Sequence, residues 1–197
     1  MQDRACNLPN FSFVIPKKLA GCGVLGSWRP LALELSELRG YGITAIVSLT
    51  EWPLDEEQVT ENGFAYLHLP VPDYNIPTAQ QVKELCAFID QQLELPQKQQ
   101  KEEQHDEQGA GAVVVHCFGG SGRTGAMLAV YLLHYSFKQR KLMGETEEEG
   151  LVFDGEKAIQ LVRSLRPRSV ETKAQEDVVH QWAEYLDACS KAKESTE

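Results

Sequence analysis

Three short runs of apolar residues recur along the chain, each bounded by polar or turn-forming residues. The runs ITAIVSLT (43–50), FAYLHLPV (64–71) and AVVVH (112–116) are rich in β-branched and aromatic side chains, which is typical of buried strands. Elsewhere the apolar positions recur every three to four residues, which indicates amphipathic helices. Strands that alternate with helices predict an α/β fold, with a central, mainly parallel, twisted sheet and helices on both faces.

Five stretches carry the helical spacing. They are residues 29–42, 76–95, 124–135, 155–167 and 171–186. We expect Gly40 near the C-terminal cap of the first helix. In the second, Thr78 and Gln81 have the spacing of a capping box, in which each side chain bonds the backbone N–H of the other residue. The stretch 124–135 is apolar almost throughout, so we expect a central, buried helix there.

Two polar stretches interrupt this pattern. Residues 97–111 are rich in Gln and Glu, and residues 138–150 are basic at first and acidic later. Neither has enough apolar side chains to bury much surface, so we interpret both as exposed insertions or mobile loops. A chain of 197 residues without an internal repeat is predicted to form a single domain, 1–197.

The chain has an excess of negative charge. Its 19 Lys and Arg residues against 29 Asp and Glu residues give a net charge of −10. This argues against a nucleic-acid or anionic-membrane binder, so any basic pocket must be local. The first residues lack the pattern of a signal peptide, and no apolar run reaches the roughly 18 residues of a membrane span.

The cysteines indicate the compartment. They lie at Cys6, Cys22, Cys86, Cys117 and Cys189, with no Cys-x-x-Cys pair among them. This predicts neither a zinc site nor a disulfide framework. We therefore expect a reducing compartment, the cytoplasm with the nucleus as the alternative.

The segment HCFGGSGRTG (116–125) joins the third strand to the apolar helix. Its glycines permit a turn that points successive backbone N–H groups inward, as an anion cradle. The N-terminus of the next helix and the forked guanidinium of Arg123 add positive charge at the same point. The same groups favour the thiolate of Cys117 over the thiol. The loop is thus suited to bind a phosphate and to attack it, and it lacks the lysine of a nucleotide-binding loop.

The alternative for Cys117 is a buried structural cysteine on a turn. The complete Cys-x5-Arg-Thr string between a strand and a helix favours catalysis, and it resembles the signature of the protein tyrosine phosphatase superfamily. The segments GITAIVSLTE, LPVPDYNIPT and LRPRSVETKAQE are similar to the small atypical dual-specificity phosphatases of the VHZ kind. CFGGSGR and LAGCGVLG are also similar to the kinase-associated phosphatase, and the two polar insertions depart from both patterns.

The resemblance implies roles for the residues of the motif. Cys117 would be the nucleophile, Arg123 the phosphate clamp, and Thr124 the donor to the departing thiolate. His116 would orient the loop. The residues implied in substrate binding are His116, Phe118, Gly119, Gly120, Ser121, Gly122 and Arg123.

Asp73, in the proline-rich loop VPDYNIPT, is the candidate general acid and base. A phenoxide or alkoxide leaves poorly unless a proton is supplied, and Asp73 matches the acid of this family, although Asp after Pro is also a common turn former. Val71 stands where the larger tyrosine phosphatases have a tryptophan, which leaves the acid assignment intact but disfavours a large loop closure. The resemblance suggests that Gln175 orients the attacking water, while Thr172 and Gln175 also have capping-box spacing.

Three further residues are interpreted as structural. Glu51 follows the first predicted strand, and its alternative is a position near the pocket. Cys86 is expected in the core, with a reversible disulfide to Cys117 as the alternative. His68 is expected to be a satisfied strand side chain. No second His or Cys lies at ligand spacing from His116, so no metal site is expected.

The expected protein is therefore a phosphatase that uses no metal and no cofactor. It would hydrolyse phosphotyrosine, and phosphoserine or phosphothreonine, through a phosphocysteine intermediate. Its partners would be phosphorylated proteins rather than nucleic acid or membrane, and we expect a monomer. The alternatives are a phosphate-binding scaffold with little turnover, or a phosphatase for phosphoinositides or RNA 5′-phosphates. The absence of lysine from residues 118–122 and the acidic chain disfavour these last two substrates.

Overall fold

The computed structural model describes residues 7–99, 111–143 and 154–194. In this part of the chain five strands form one sheet: β1 (Ser12–Ile15), β2 (Leu19–Cys22), β3 (Ile43–Ser48), β4 (Ala65–His68) and β5 (Ala112–His116). Their order is β1-β2-β5-β3-β4, and β2, β3, β4 and β5 are parallel, while β1 pairs antiparallel with β2. The loops after the four parallel strands therefore emerge at the same edge of the sheet.

Helices cover both faces of the sheet. Within the described ranges they are α1 (Leu31–Gly40), α2 (Glu56–Glu61), α3 (Ala79–Gln99), α4 (Gly122–Met143), α5 (Gly155–Leu165) and α6 (Lys173–Glu194). Residues of α1 and α2 pack against one face, and residues of α3 to α6 pack against the other. In the same ranges, none of these helices has an apolar stretch long enough to cross a membrane.

The central position of β5 in the sheet explains why apolar and polar residues do not alternate along its sequence. It lies between β2 and β3, and every residue of it is buried. Val113 and Val115 face the cluster that includes α4, while Ala112 and Val114 face the cluster that includes α1. The predicted fold class is confirmed, and the predicted strands and helices all occur, with β3 and β4 ending earlier than expected, at Ser48 and His68.

Three short elements are absent from the sequence prediction. β1 and β2 have four residues each, and β2, with the sequence LAGC, contains a glycine and an alanine. α2 has six residues and is capped by Asp55, whose side chain accepts the N–H of Gln58 over 3.0 Å. Such elements are too short to show a period of apolar positions, so only their tertiary pairing defines them.

The start of each polar stretch is helical, contrary to its interpretation as a loop. α3 continues to Gln99, and α4 continues to Met143. Extending an existing helix needs no new nucleation, and Gln, Lys and Arg are good helix formers. On α4, Lys138 also pairs with Asp90 and Glu94 of α3, at 2.8 Å and 2.6 Å. Residues 100–110 and 144–150 of the predicted insertions lie outside the described residues, and the single domain stays a prediction.

Candidate active site

Cys117 lies directly after β5, and the cysteine loop, residues 117–122, ends where α4 begins. Gly120 in this loop has φ = +73°, a conformation that favours glycine. A Cβ at this position would lie 2.5 Å from the carbonyl oxygen of Cys22, so a larger residue would not fit. The turn lets the Gly120 N–H donate to Cys117 Sγ over 3.2 Å. The buried sulfur thus lies at a helix N-terminus with a backbone donor directed at it.

Arg166, at the end of α5, supports the cysteine loop from the interior. One guanidinium nitrogen, Nη2, donates to the carbonyl oxygen of Gly120 over 2.7 Å. The other, Nη1, donates to the carbonyl oxygen of Gly21 and to Ser12 Oγ, each over 2.8 Å. Burial lowers the pKa of Arg166, and the nearby sulfurs of Cys22 and Cys117 oppose that shift. The side chain therefore connects β1, β2 and the loop through one buried cation.

Arg166 was not among the residues that the sequence identified. It lies near the end of a predicted helix and is followed by Pro167, in a segment whose apolar spacing indicates an amphipathic helix. Arg at such a position is usually exposed, and nothing in the spacing of apolar residues distinguishes a buried arginine. The sequence feature that could have identified Arg166 is the similarity of its segment, LRPRSVETKAQE, to the small atypical dual-specificity phosphatases.

Arg123, in the first turn of α4, is buried and is held from three sides. Its Nη1 donates to the carbonyl oxygen of Val71 over 2.7 Å and to Glu51 Oε2 over 3.1 Å. Its Nη2 lies 2.9 Å from Asp73 Oδ1 in an ion pair. The motif arginine and the candidate acid, 50 positions apart in the sequence, thus meet at the carboxyl edge of the sheet.

Glu51 lies beside Arg123 and Asp73, the position near the pocket that its sequence interpretation gave as the alternative. Its Oε2 binds Arg123, and its Oε1 accepts the backbone N–H of Asp73 over 2.9 Å. The Asp73 N–H, then the backbone of Glu51 itself and the Arg123 guanidinium lower the pKa of this carboxyl from its usual 4.5. Glu51 therefore joins the loop that bears the acid to the arginine that would hold phosphate.

Asp73 is half-exposed, on the loop between β4 and α3. The next residue, Tyr74, has φ = +59°, and its N–H donates to Asp73 Oδ1 over 3.0 Å. The loop is anchored at its start, where Gln81 Nε2 donates to the carbonyl oxygen of Pro70 over 2.8 Å. Gln81 also makes the capping box predicted with Thr78. The beginning of α3 thus fixes the loop that presents the carboxylate.

Gln175 and Thr124 both lie beside the cysteine loop. The capping box is present, because Gln175 Oε1 accepts the Thr172 N–H and Thr172 Oγ1 accepts the Gln175 N–H. A Cβ on Gly122 would lie 2.9 Å from Gln175 Nε2, so the amide contacts the loop as well. Thr124 is buried, and its Oγ1 has no hydrogen-bond partner among the described residues. Its hydroxyl is therefore available to another acceptor.

The histidines and Cys86 have local roles. His116 is fully buried, with Nδ1 3.3 Å from the Cys117 carbonyl oxygen, and burial lowers its pKa to about 4. His68 Nε2 bonds the Thr50 carbonyl oxygen over 2.8 Å, as expected of a satisfied strand residue. Cys86 is a free thiol in the core, and burial raises its pKa, so it packs as an apolar side chain. In the described ranges no three His, Cys, Asp or Glu side chains converge as metal ligands.

The sulfur, the arginine and the aspartate lie together because β5, α4 and the loop after β4 meet at one edge of the sheet. This combination of fold and site is that of the cysteine-based phosphatases. Residues 8–179 match the family model described as PTP-SAK, Swiss Army Knife protein, DSP-PTPase phosphatase domain. The chain belongs to this family of phosphatase domains, which confirms the resemblance found in its sequence.

A curated relative agrees with this assignment. The dual specificity protein phosphatase CDC14B of Mus musculus is 28% identical over 136 residues, which are 64% of this chain. The matched region is 24% of the length of CDC14B, so the chain spans about a quarter of that relative.

Solved structures show the same fold. Tk-PTP in its active form superposes with a TM-score of 0.65 at 24% identity, covering 89% of this chain and 97% of that one. The kinase associated phosphatase gives 0.62 at 21% identity, with 86% and 88% covered. PTPMT1 in complex with PI(5)P gives 0.66 at 15% identity, with 91% and 98% covered.

Proposed function

We propose that this chain hydrolyses phosphate monoesters of proteins, with Cys117 as the nucleophile. The observation that carries the proposal is the contact between Arg123, which directly follows the cysteine loop, and Asp73 on the loop after β4. Cys117 Sγ accepts the Gly120 N–H, and Arg123, six residues further on, pairs with Asp73 at 2.9 Å. The candidate nucleophile, the cation for the phosphate and the candidate proton carrier thus lie at the same edge of the sheet.

The Nε and Nη2 edge of Arg123 supports its role as the phosphate clamp. Val71 and Glu51 accept both of the Nη1 hydrogens. No hydrogen bond engages Nε within the described residues, and Nη2 makes only the ion pair with Asp73. Nε and Nη2 form a fork that matches two oxygens of a phosphate. Glu51 and Val71 would hold the guanidinium so that this fork points at the substrate.

In the first step, the Cys117 thiolate attacks phosphorus. The S–P bond forms as the bond between phosphorus and the leaving oxygen breaks, and that oxygen takes a proton from Asp73. The products are the dephosphorylated alcohol or phenol and a phosphocysteine. Arg123 and the backbone N–H groups of the cysteine loop stabilise the negative charge on the phosphoryl oxygens.

In the second step, the Asp73 carboxylate takes a proton from water while the water oxygen attacks phosphorus. The S–P bond breaks, inorganic phosphate forms, and the thiolate returns. Thr124 Oγ1 would donate to the departing sulfur, and the Gln175 amide beside Gly122 would orient the water. The sulfur supplies the nucleophile and Arg123 the counter-charge, so the proposal requires no metal.

Phosphotyrosine is the proposed main substrate, with phosphoserine and phosphothreonine accepted as well. The half-exposed position of Asp73 and the exposed residues beside Cys117 support a shallow site. Phosphorylated proteins are therefore the proposed partners, in the cytoplasm or nucleus.

A phosphoinositide is the second candidate substrate, because PTPMT1, which has this fold, was solved with PI(5)P. A headgroup with several phosphates needs several cations. Residues 118–122 have none, and Glu51, Asp73 and Glu171 are acidic groups at the site. These charges favour protein substrates.

Turnover and binding test the proposal together. The wild-type protein should release phosphate from a phosphotyrosine peptide, and Cys117→Ser should bind the peptide without releasing phosphate. A scaffold without useful turnover would instead bind the peptide equally in both forms and release no phosphate even at mildly acidic pH. The substrate classes are ranked by their binding to the trapping variant Asp73→Ala. The substrates compared are a phosphoserine peptide, phosphoinositide vesicles and 5′-phosphorylated RNA.

A further inference from the structure

Each of three residues at the site is followed at once by an exposed aromatic residue. Trp52 follows Glu51, Tyr74 follows Asp73, and Phe118 follows Cys117. The exposed fractions are 82% for Trp52, 76% for Tyr74 and 58% for Phe118. Rings of this size usually bury most of their surface.

The three rings belong to three different loops at the same edge of the sheet. Trp52 lies after β3, Tyr74 after β4 and Phe118 after β5. Glu51 and Asp73 both contact Arg123, which lies on the helix that begins at the end of the cysteine loop. Adjacent Cα atoms are about 3.8 Å apart, so each ring starts within one residue of the site.

These rings have no aromatic or cationic partner within the described residues. Tyr185, which is also exposed, differs from them because it stacks on Trp182 at 5.0 Å and lies 5.1 Å from Lys83 Nζ. Exposed rings grouped around one site mark a surface that binds a partner. We name Trp52, Tyr74 and Phe118 the aromatic collar.

We propose that the aromatic collar binds the residues that flank the phosphorylated residue of a peptide, with a preference for apolar and basic neighbours. The inference rests on the proposed phosphatase function and adds the sequence context of its substrate. Rings offer apolar area to Leu or Phe side chains and cation–π contacts to Lys and Arg.

The charges beside the collar favour basic flanking residues. Asp55 caps the N-terminus of α2 just after Trp52, and Glu56 and Glu57 lie in the first turn of that helix. Arg168 is an exposed cation on the loop between α5 and α6. That loop contacts the cysteine loop, because the Val170 N–H donates to the Ser121 carbonyl oxygen. A rim of carboxylates repels an anionic lipid surface and attracts a basic peptide. The peptide is therefore the occupant that fits, rather than a membrane.

The test compares kcat/KM for four substrates. They are a phosphotyrosine peptide with Arg and Leu neighbours, the same peptide with Glu neighbours, phenyl phosphate, and a phosphoinositide in phosphatidylcholine vesicles. For Trp52→Ala and Tyr74→Ala, the ratio of kcat/KM between the basic peptide and phenyl phosphate should fall about three- to tenfold. Leu142→Ala, an exposed apolar residue at the far end of α4, is the matched control and should leave that ratio unchanged.

Two results would overturn the collar. One is an unchanged ratio in both variants, and the other is a loss confined to the phosphoinositide vesicles, which would make the rings a membrane contact. The affinity of Cys117→Ser for the peptides, measured with and without Trp52→Ala, gives the contribution of the aromatic collar to binding independently of turnover. Wild-type protein that turns over no phosphomonoester would contradict the proposed function, while equal binding with and without Trp52 would contradict the collar.

Discussion

Asp73 and Arg123 form an ion pair, with Asp73 Oδ1 2.9 Å from Arg123 Nη2. The same guanidinium edge is the one that two phosphate oxygens would occupy. As the proposed general acid, Asp73 gives a proton to the leaving group, whereas as the partner of Arg123 it occupies the place of a phosphate oxygen. A phosphate dianion on Arg123 would compete with Asp73, so substrate binding and release of the carboxylate are expected to be coupled.

Asp73→Asn should separate these two effects. The amide has no proton to transfer, so kcat for a phosphotyrosine peptide should fall about 10²- to 10³-fold. It also competes less well for Arg123, so inorganic phosphate should inhibit about two- to fivefold more tightly. Steady-state kinetics with phosphate as inhibitor measure both quantities.

The control for this substitution is Asp187→Asn, an exposed residue of α6 that pairs with Lys191. It should change neither kcat nor phosphate inhibition. Weaker phosphate inhibition in Asp73→Asn would show that the carboxylate does not compete with phosphate for the guanidinium.

Glu51→Gln should reduce kcat/KM by about tenfold. The amide can still accept the Asp73 N–H, but it removes the charge that faces Arg123. The pKa of Glu51 lies below its usual 4.5, so the wild-type carboxylate is charged at neutral pH and its contacts weaken only as the pH falls below that value. Glu61→Gln, at the exposed end of α2, is the matched control. Equal kinetics in the two variants would return Glu51 to a structural role.

Arg166→Met should destabilise the fold by about 3 kcal/mol. The substitution leaves the carbonyl oxygens of Gly21 and Gly120 without their donor. Arg166→Lys keeps the charge but not the fork, so its loss should be intermediate. Urea denaturation gives these values, with the exposed Arg168→Met as the comparison. A loss no larger than that of Arg168→Met would mean that Arg166 does not support the loop.

The buried His116 should make stability depend on pH. Its pKa falls from 6.5 in the unfolded chain to about 4 in the fold, because burial disfavours the imidazolium. Between these values the unfolded state binds a proton that the folded state does not, so stability decreases as the pH falls. The maximal slope is about 1.4 kcal/mol per pH unit.

Denaturation midpoints over that pH window measure the effect. His116→Gln should flatten the dependence. A full slope in this variant would assign the proton to another group. Asp90, whose pKa is about 2, loses its stabilising contacts with His134, Lys138 and Tyr131 only at lower pH, so its window is separate.

The sequence predicted the parts of the site that lie close together in the chain. Cys117 and Arg123 lie six positions apart in one motif, and their spacing and the glycines between them predict the site. Asp73 was found through its loop and the family resemblance. The structure brings these three residues together, while their chemical roles stay predictions.

Glu51 and Arg166 needed the folded chain. Glu51 meets Arg123 across 72 positions of sequence, and Arg166 meets Gly120 across 46. Each contact depends on which strands are neighbours, because β3 lies beside β5 and β2 lies on its other side. A carboxylate after a strand and an arginine at a helix end resemble ordinary surface residues until that pairing is known.

The most direct test of the account is the covalent state of Cys117 during turnover. Wild-type protein mixed with a phosphotyrosine peptide and quenched in acid should carry one phosphoryl group, and digestion should place it on the peptide that contains Cys117. Asp73→Ala should carry more of the phosphocysteine when the substrate has a good leaving group. Such a substrate still forms the intermediate, but the variant hydrolyses the intermediate slowly. Phosphate release with no adduct on Cys117, or full turnover by Cys117→Ser, would contradict the account.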